Sequence, residues 1–342
     1  MGKIEEINII NQTTQKMFIR KYRSAPFISA TLTALIMFTA RYKGSEGILL
    51  LDRFLPGLGW LQITAIAIYA GIITHFLLNQ NKIAKIRIRI WTIFSIVFFS
   101  QFIAGILISE KFLMTGKLHI PIPAVILAGP IYRGEGFFMP ILFLSTIILT
   151  GPAWCSYLCY FGAMDGVASS RKKKPVFPKG IWKTLRYFTT LIVIVTAIIF
   201  RIFNTPPVAA ITAAIIFGAV GIFITILISR KRGFMGHCTY YCPIGLLSNL
   251  LGKISPFRIK IDSSCSSCMA CITACRYNAL SSESMTKGSA GFNCTLCGDC
   301  LDSCSSQSIN YKFFNLSSGK SRTLFTIIIA VLHATFIGIA RI

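Results

Sequence analysis

Two runs of cysteines near the end of the chain share one spacing, C-x2-C-x2-C-x3-C. The first run is Cys265, Cys268, Cys271 and Cys275, and the second is Cys294, Cys297, Cys300 and Cys304. Three thiolates in one tight loop can hold three corners of an iron–sulfur cube, and in the two-cluster pattern the fourth cysteine of each run reaches the other cube. Zinc sites usually have two cysteines, a long gap and two more ligands, which neither run offers. The spacing therefore predicts electron transfer through two [4Fe-4S] clusters, one at Cys265, Cys268, Cys271 and Cys304 and the other at Cys294, Cys297, Cys300 and Cys275.

The other four cysteines form a second repeat. Cys155 and Cys159 lie in GPAWCSYLCYFGAM, and Cys238 and Cys242 lie in FMGHCTYYCPIGLL, so both copies read C-[ST]-Y-x-C-x-x-G. A spacing of four puts both thiols of a pair on one helical face. We interpret the four thiols as ligands of a third iron–sulfur cluster, because four-cysteine ligation is the common rule.

Other roles for these four cysteines stay open on sequence grounds. They could be buried thiols that pack as small apolar groups, a redox-active thiol arrangement, or a contact with the cofactor of another subunit. A disulfide is disfavoured on the cytoplasmic side. A covalent c-type haem needs C-x-x-C-H, which neither copy contains.

The composition of the chain is that of a membrane protein. Hydrophobic residues make up 54% and charged residues only 13% of the 342 residues, far from the soluble average. Seven apolar stretches are long enough, or nearly so, to cross a bilayer of roughly 30 Å. They lie at about 25–40, 58–78, 91–109, 138–155, 185–202, 208–228 and 323–340.

The basic residues predict the orientation. With the N-terminus in the cytoplasm, the inner segments contain sixteen lysines and arginines and the outer loops seven. This asymmetry follows the positive-inside rule and puts the cysteine-rich module in the cytoplasm, with the protein in the inner membrane. The net charge of +24 does not indicate nucleic-acid binding, since the basic excess lies beside the membrane segments, where it attracts anionic lipid head groups.

These patterns define a predicted architecture of four segments. The fold class is an α-helical polytopic membrane protein of about seven transmembrane helices with a small α+β two-cluster ferredoxin-like cytoplasmic domain. The third-to-fourth and fifth-to-sixth spans form two parallel helix-pair repeats about an axis along the membrane normal. Some twenty polar residues precede the first span, so we expect no cleavable signal peptide. The segments are a cytoplasmic arm at 1–24, a transmembrane domain at 25–250, the ferredoxin-like domain at 251–316 and a last helix at 317–342.

At these cysteines, over about residues 90–315, the chain resembles the membrane-bound polyferredoxins. That family includes the quinol-dehydrogenase membrane subunit of periplasmic nitrate reductase, the nitrous-oxide reductase regulatory protein and the cytochrome oxidase assembly ferredoxin. Its members similarly have two C-x3-C-P motifs at helix ends ahead of two ferredoxin runs. The resemblance implies [4Fe-4S] ligation by the eight ferredoxin cysteines and a redox role for the other four.

The chain departs from the family pattern at three positions. Tyr160 stands where the first motif has proline, whereas Pro243 keeps it in the second. Arg276 and Ser305 follow the fourth cysteine of each ferredoxin run in place of proline. We find no large extracytoplasmic flavin domain in the sequence. These differences leave the pathway open and favour the short nitrate-reductase-subunit type.

The four histidines are further candidates. His75 and His333 fall inside predicted spans, where a histidine can be a haem ligand, a quinone contact or a proton relay. His237, next to Cys238, could tune a cluster by a hydrogen bond or cap a helix end. The fourth histidine lies in an apolar outer loop together with three polar residues: His119, Tyr132, Arg133 and Glu135. This loop could form a quinone head-group pocket or simply lie on the bilayer surface.

No hydrolase triad, phosphate-binding glycine loop or dinucleotide fingerprint occurs in the sequence. We therefore expect an electron-transfer subunit without a substrate site of its own. Its expected partners are membrane lipids, other redox subunits of a membrane complex and a quinone. The alternatives are an assembly or regulatory factor that delivers electrons to a partner metalloenzyme, and a redox sensor whose cluster state shifts the membrane domain.

Overall fold

The computed structural model describes residues 13, 15–44, 47–113, 120–178, 180 and 184–339. The described chain is mostly helical, with one two-stranded sheet. It divides into two compact units made of interleaved segments. The first unit comprises Met1–Lys117, Phe257–Cys271 and Gly298–Ile342, and the second comprises Leu118–Pro256 and Ile272–Cys297. The predicted segment boundaries at 250 and 316 remain predictions.

The first unit contains a bundle of long helices and the sheet. Its helices are α1 (Ala25–Lys43), α2 (Leu50–Phe54), α3 (Gly59–Leu77), α4 (Ile83–Leu107), the short α15 (Asp299–Asp302) and α16 (Ser318–Ile339), with 3-10 turns at Gln80–Lys82 and Glu110–Phe112. Helices α1, α3 and α16 pack against one another. Met37, Leu49 and Ile63 form a buried apolar cluster. Side chains on the outer faces, such as Phe27 and Ile68, are exposed, as lipid-facing residues are.

The sheet pairs the strand that precedes the first cysteine run with the strand that follows the second run. Strand β1 (Phe257–Ile261) pairs antiparallel with β2 (Ile309–Phe313). The pairs are Phe257 with Phe313, Arg258 with Lys312, Ile259 with Tyr311, Lys260 with Asn310, and Ile261 with Ile309. Alternate residues are buried because side chains of a strand point to opposite faces. Tyr311 stacks on Phe325 of α16, with 4.2 Å between ring centroids.

The second unit is built from a short helix, three membrane-length helices and the segments that follow them. Its helices are α5 (Val125–Arg133), α6 (Phe138–Thr150), α7 (Trp154–Tyr157), α8 (Tyr160–Ser170), α9 (Leu185–Ile202), α10 (Pro207–Ile224), α11 (Arg230–Arg232), α12 (Pro243–Leu251) and α14 (Ser282–Thr286). Helix α13 (Ala270–Ala274) begins in the first unit and ends in the second. A 3-10 turn covers Gly151–Ala153, and π turns cover Thr225–Ser229 and His237–Tyr241.

Six helices in the described part of the chain are long and apolar enough to cross a membrane. They are Gly59–Leu77, Ile83–Leu107, Phe138–Tyr157, Leu185–Ile202, Pro207–Arg232 and Ser318–Ile339. They cover six of the seven predicted spans. Helix α1 covers the first predicted span but is not among the six. Its last turn contains Arg41 and Lys43, which lower its hydropathy, so α1 stays a prediction as a span.

Candidate functional site

The four cysteines of the C-[ST]-Y-x-C-x-x-G repeat, which we call the inner repeat, come together in the second unit. The Cys155 thiol interacts electrostatically with that of Cys242. Cys159 interacts with both of these, and Cys238 interacts with all three others. Cys155, Cys159 and Cys242 are each 6% exposed, and all four are free thiols. One buried site therefore collects four thiols from two stretches that lie some eighty residues apart.

The two copies of the repeat have the same local backbone. The second cysteine of each, Cys159 or Cys242, is extended, with φ −82° and ψ 111° in one copy and φ −72° and ψ 122° in the other. Each is the N-cap of a short helix, α8 or α12. Each thiol accepts hydrogen bonds from the backbone amides two and three residues ahead. Helix N-terminal amides favour negative charge, so both positions are suited to a thiolate.

The first cysteine of each copy lies against the helix of the other copy. The Cys238 amide donates a 3.0 Å hydrogen bond to Oδ2 of Asp165 on α8. The Ser248 side chain on α12 lies beside the Cys155 thiol. Asp165 follows Cys155 by ten residues and Ser248 follows Cys238 by ten, so they are equivalent positions. These reciprocal contacts are the arrangement expected of two repeats related by a pseudo-two-fold axis.

Burial dominates the electrostatics of this site. It raises the pKa of the Cys242 thiol to about 11 and that of Asp165 to about 6. It also raises the pKa of Cys159 and Cys238, and the charges of neighbouring thiols add to the effect. Four thiolates in a dry site need a positive group among them, since unpaired buried charge is costly. The donor set therefore fits a cationic iron–sulfur core, which requires thiolates.

Gly245, three residues after Cys242, permits a close approach between backbones. A Cβ at this position would lie 2.5 Å from the Cys238 carbonyl oxygen. No side chain fits there without moving the backbone next to a candidate ligand. The glycine that ends the C-[ST]-Y-x-C-x-x-G pattern thus has a packing role in the second copy.

His237 is enclosed beside the site. It is 3% exposed and packs on Phe161 with 4.6 Å between ring centroids. Burial lowers its pKa to about 3, so the ring is neutral. Neither ring nitrogen has a hydrogen-bond partner among the described residues. The predicted tuning hydrogen bond to a cluster stays a prediction, and the side chain caps no described helix end.

Four cysteines of the ferredoxin runs also come together, in the first unit. The Cys271 thiol interacts with Cys304, Cys265 and Cys268. Burial raises the pKa of Cys271 to about 11, and the charges of the other three thiols add to the rise. The sheet explains why Cys304 joins the first run: β1 ends four residues before Cys265, and its partner β2 begins five residues after Cys304. That these four thiols hold the first cluster stays a prediction.

The two runs adopt the same unusual loop. Ser267 and Met269 in the first run have φ of 53° and 60°, and the equivalent Leu296 and Gly298 in the second have 54° and 85°. Three of these residues are not glycine, and left-handed backbone at such residues costs of order 1–3 kcal/mol and clusters at functional sites.

The cysteines of the second predicted cluster are divided between the two units in the chain. Cys275, Cys294 and Cys297 lie in the second unit, and Cys300 lies in the first. Within the second unit, the Cys275 thiol accepts a hydrogen bond from the Ala279 amide at 3.3 Å. The Ala279 carbonyl accepts from Gly291 at 2.7 Å, and the Gly291 carbonyl accepts from Cys294 at 3.0 Å. These bonds hold Cys275 and Cys294 in one connected loop system.

Hydrogen bonds also join the inner repeat to the second run. Ser156, directly after Cys155, donates to Thr295 Oγ1 at 2.7 Å, and Thr295 directly follows Cys294. The Tyr157 hydroxyl donates to the Cys297 carbonyl at 2.9 Å. Ser156, Tyr157 and Thr295 are all buried. Ser156 and Tyr157, which lie between Cys155 and Cys159 in the chain, are therefore hydrogen-bonded to residues of the second run.

In the first unit, a buried ion pair anchors the loop that precedes Cys300. Nε and Nη2 of Arg87 donate to the two carboxylate oxygens of Asp299 at 3.0 and 2.9 Å. The side chains are 2% and 8% exposed. Arg87 lies in the second turn of α4, so the pair ties this helix to the residue next to a candidate ligand. Sequence reasoning missed this role, because Arg87 counted there only as an orienting charge.

No group of three or more His, Cys, Asp or Glu side chains among the described residues is arranged to bind one metal ion. A [4Fe-4S] cube presents four separate irons, so its ligands stand further apart than those of a single ion. The four-cysteine donor sets suit such a cluster, whose irons are held by thiolates.

The remaining histidine candidates have different surroundings. His75 is exposed on α3, whereas His333 on α16 is fully buried, with Nε2 at 3.2 Å from the Tyr69 hydroxyl. His119 lies outside the described residues. Of the other residues grouped with His119, Tyr132 donates its hydroxyl hydrogen to the Thr205 carbonyl at 2.7 Å. The Tyr132 hydroxyl therefore already has an acceptor within the protein.

Comparison with known proteins agrees with an iron–sulfur assignment. The chain matches a family model described as a 4Fe-4S binding domain over residues 132–178 and 211–262. It is 22% identical over 191 residues to the uncharacterized protein MJ0749 of Methanocaldococcus jannaschii, covering 53% of this chain and 72% of that one. It is 21% identical over 189 residues to the uncharacterized protein MJ0750 of the same organism, covering 51% and 76%. No solved structure matches the chain.

The two matched ranges contain Cys155 with Cys159 and Cys238 with Cys242. The family match therefore falls on the two copies of the inner repeat, and not on the two ferredoxin runs. Together with the six apolar helices, it defines the class: an iron–sulfur protein of the ferredoxin type that passes the membrane several times.

Proposed function

We propose that this protein is a membrane-embedded electron-transfer subunit with three iron–sulfur centres. Two are the predicted [4Fe-4S] clusters of the ferredoxin runs, and the third is held by Cys155, Cys159, Cys238 and Cys242. The observation on which the proposal chiefly rests is the convergence of these four thiols, of which Cys155, Cys159 and Cys242 are buried. When bound, such clusters accept and release one electron at a time.

The residues around the third site serve to hold and insulate it. Helix N-terminal amides at Cys159 and Cys242 stabilise thiolate charge. Asp165 and Ser248 fix the two first cysteines from opposite copies of the repeat. Burial keeps water away and, with the hydrogen bonds to sulfur, sets the reduction potential.

The contacts support an order of centres along the protein. Ser156 and Tyr157 bond directly to Thr295 and Cys297, so the third site adjoins the second ferredoxin run by covalent and hydrogen bonds. The proposed sequence is therefore first cluster, second cluster, third site.

The orientation we propose puts both ferredoxin clusters on the cytoplasmic side, in an inner membrane. The excess of lysine and arginine in the segments on that side supports it. Electrons then pass between a cytoplasmic donor or acceptor and a partner at membrane level.

A quinone is our proposed membrane-level partner. A cavity of about 170 Å³ in the second unit has apolar walls from Leu185, Ile224 and Ile228 and polar groups from Arg232 and Tyr240. Tyr240 lies between Cys238 and Cys242 in the chain. An apolar cavity with few polar groups beside a redox site suits a lipid-soluble carrier. None of its lining residues belongs to the loop that the sequence suggested.

The function is tested by following reduced protein as it meets a quinone. Anaerobically purified protein is reduced with methyl viologen, freed of reductant and mixed with a menaquinone analogue, and low-temperature electron paramagnetic resonance follows every centre. We expect the wild type to be reoxidised through all of its centres. Cys242→Ser should keep ferredoxin-type signals that reduce normally but reoxidise at least tenfold more slowly.

Two results would contradict the proposal. One is a wild type whose centres reduce but never transfer electrons to any quinone or partner protein. The other is a Cys242→Ser variant with unchanged rates. A protein purified with zinc and without iron would remove the basis for the whole assignment.

A further inference from the structure

One surface of the second unit collects seven basic side chains. Residues 171–174, which read RKKK, follow α8, and Arg230–Arg232 form α11. The two stretches lie side by side, because the Val176 amide donates to the Arg232 carbonyl at 2.8 Å. All seven side chains are exposed. We call these seven residues the basic patch.

Nothing acidic in the unit neutralises the basic patch. The acidic residues of this unit are Glu135, Asp165 and Glu283. Asp165 is fully buried, and Glu283 pairs with Lys287 at 2.6 Å. Glu135 precedes α6, at the other end of the span Phe138–Tyr157 from Cys155. The patch therefore presents a concentrated positive field to its surroundings.

Arg276 links this patch to the second ferredoxin run. Its guanidinium donates to the carbonyls of Ser169, Lys172 and Gly233 at 2.6, 3.1 and 2.7 Å. Its own carbonyl accepts from the Met235 amide at 3.0 Å. Arg276 directly follows Cys275, a candidate ligand of the second cluster. The residue that stands where the ferredoxin pattern has proline thus joins the two halves of the patch and attaches them to a cluster loop.

We propose that the basic patch is the docking surface for a small acidic electron-carrier protein, which exchanges electrons with the second cluster. The inference rests on the proposed electron-transfer function. Complementary charge steers transient redox partners and raises their association rates, and such encounters need only small interfaces. A surface that only orients helices in the bilayer has no need of a link to a cluster ligand, and this link favours a protein over anionic lipid as the occupant.

The test compares two variants that remove the same number of charges. The patch variant combines Lys172→Gln, Lys173→Gln, Lys174→Gln and Lys231→Gln. The control combines Lys82→Gln, Lys85→Gln, Lys260→Gln and Lys320→Gln, which are exposed lysines of the first unit. Each protein is placed in phosphatidylcholine nanodiscs. Binding of an acidic plant-type [2Fe-2S] ferredoxin is measured by calorimetry, and reduction by prereduced ferredoxin by stopped flow. Methyl viologen is the small reductant, and basic cytochrome c is the carrier of opposite charge.

At low salt we expect the patch variant to bind ferredoxin at least tenfold more weakly than wild type and to be reduced by it at least tenfold more slowly. Its reduction rate should also depend less on salt concentration. The control should stay within about twofold, and cytochrome c should not bind. Equal losses in both variants would overturn the proposal as an effect of net charge alone. Unchanged ferredoxin kinetics, with loss only of the response to added phosphatidylglycerol, would assign the patch to lipid instead. Normal reduction by viologen in each variant keeps these outcomes separate from a failure of the electron-transfer function itself.

Discussion

The buried ion pair between Arg87 and Asp299 makes a quantitative prediction for Arg87→Met. The variant keeps the length and apolar stem of the side chain but leaves the Asp299 carboxylate, 8% exposed, without its bidentate partner. Breaking a buried pair by removing one member costs about 3–5 kcal/mol, because an uncompensated charge remains inside. Since about 1.4 kcal/mol is a factor of ten in an equilibrium constant, the ratio of folded to unfolded first unit should fall by roughly two to three and a half orders of magnitude.

The assay is thermal unfolding in detergent, followed by the fluorescence of Trp91, whose ring lies 5.2 Å from the Arg87 guanidinium. A loss of this size lowers the midpoint by roughly 10 °C. Arg89→Met is the matched control: Arg89 is two residues away and exposed, so its loss should change the midpoint by no more than about 2 °C.

The double variant Arg87→Met with Asp299→Leu separates the pair from the packing. Removing both charges from a buried pair is often neutral or stabilising, so the double variant should recover most of the lost midpoint. A single variant as stable as Arg89→Met would refute the reasoning. So would a double variant that is less stable than either single one, since the two losses would then be additive.

Three further results follow from the same structure. Gly245→Ala puts a Cβ 2.5 Å from the Cys238 carbonyl; it should abolish the third-site resonance while the ferredoxin signals remain, and an unchanged resonance would contradict the packing role. Reporter fusions after residues 180 and 316 should both report cytoplasm and a fusion after 125 the outside; the same side for 125 and 180 would contradict the repeat. Met269→Pro imposes a φ near −65° where the loop has 60°, so about four irons should be lost from iron analysis, and full iron content would show that the loop tolerates the change.

The grouping of the cysteines into candidate ligand sets could be predicted from the sequence, because the spacing of ligands in the chain reflects the geometry of the cluster that they hold. The crossed set with Cys304 follows from the repeat of one motif, and antiparallel β1 and β2 supply its physical cause. The four inner cysteines were grouped by a shared pattern, and their thiols interact in the structure. Whether they hold a cluster stays a prediction.

Other features could not be read from one sequence. Asp165 and Ser248 are ordinary polar residues on helices, and only their equal offset of ten from Cys155 and Cys238 could have drawn attention to them. The Arg87–Asp299 pair joins residues 212 positions apart, a separation for which local periodicity has no signal. The left-handed φ of Leu296 contradicts local preference for a branched residue, since the loop as a whole decides it. Hydropathy alone does not decide whether helix α1 crosses the membrane, because Arg41 and Lys43 at its end lower its mean hydropathy.

The most direct test of the central claim is the spectrum and iron content of the third site. Low-temperature electron paramagnetic resonance and iron analysis are performed on anaerobically purified wild type, Cys155→Ser, Cys242→Ser and the double variant. We predict about eight irons for the two ferredoxin clusters and two to four more in the wild type. Each single variant should lose the same resonance and the additional iron, and the double variant should look like either single one, because all three break one unit. A wild type with about eight irons and only ferredoxin-type signals, unchanged in every variant, would contradict the assignment of these four thiols.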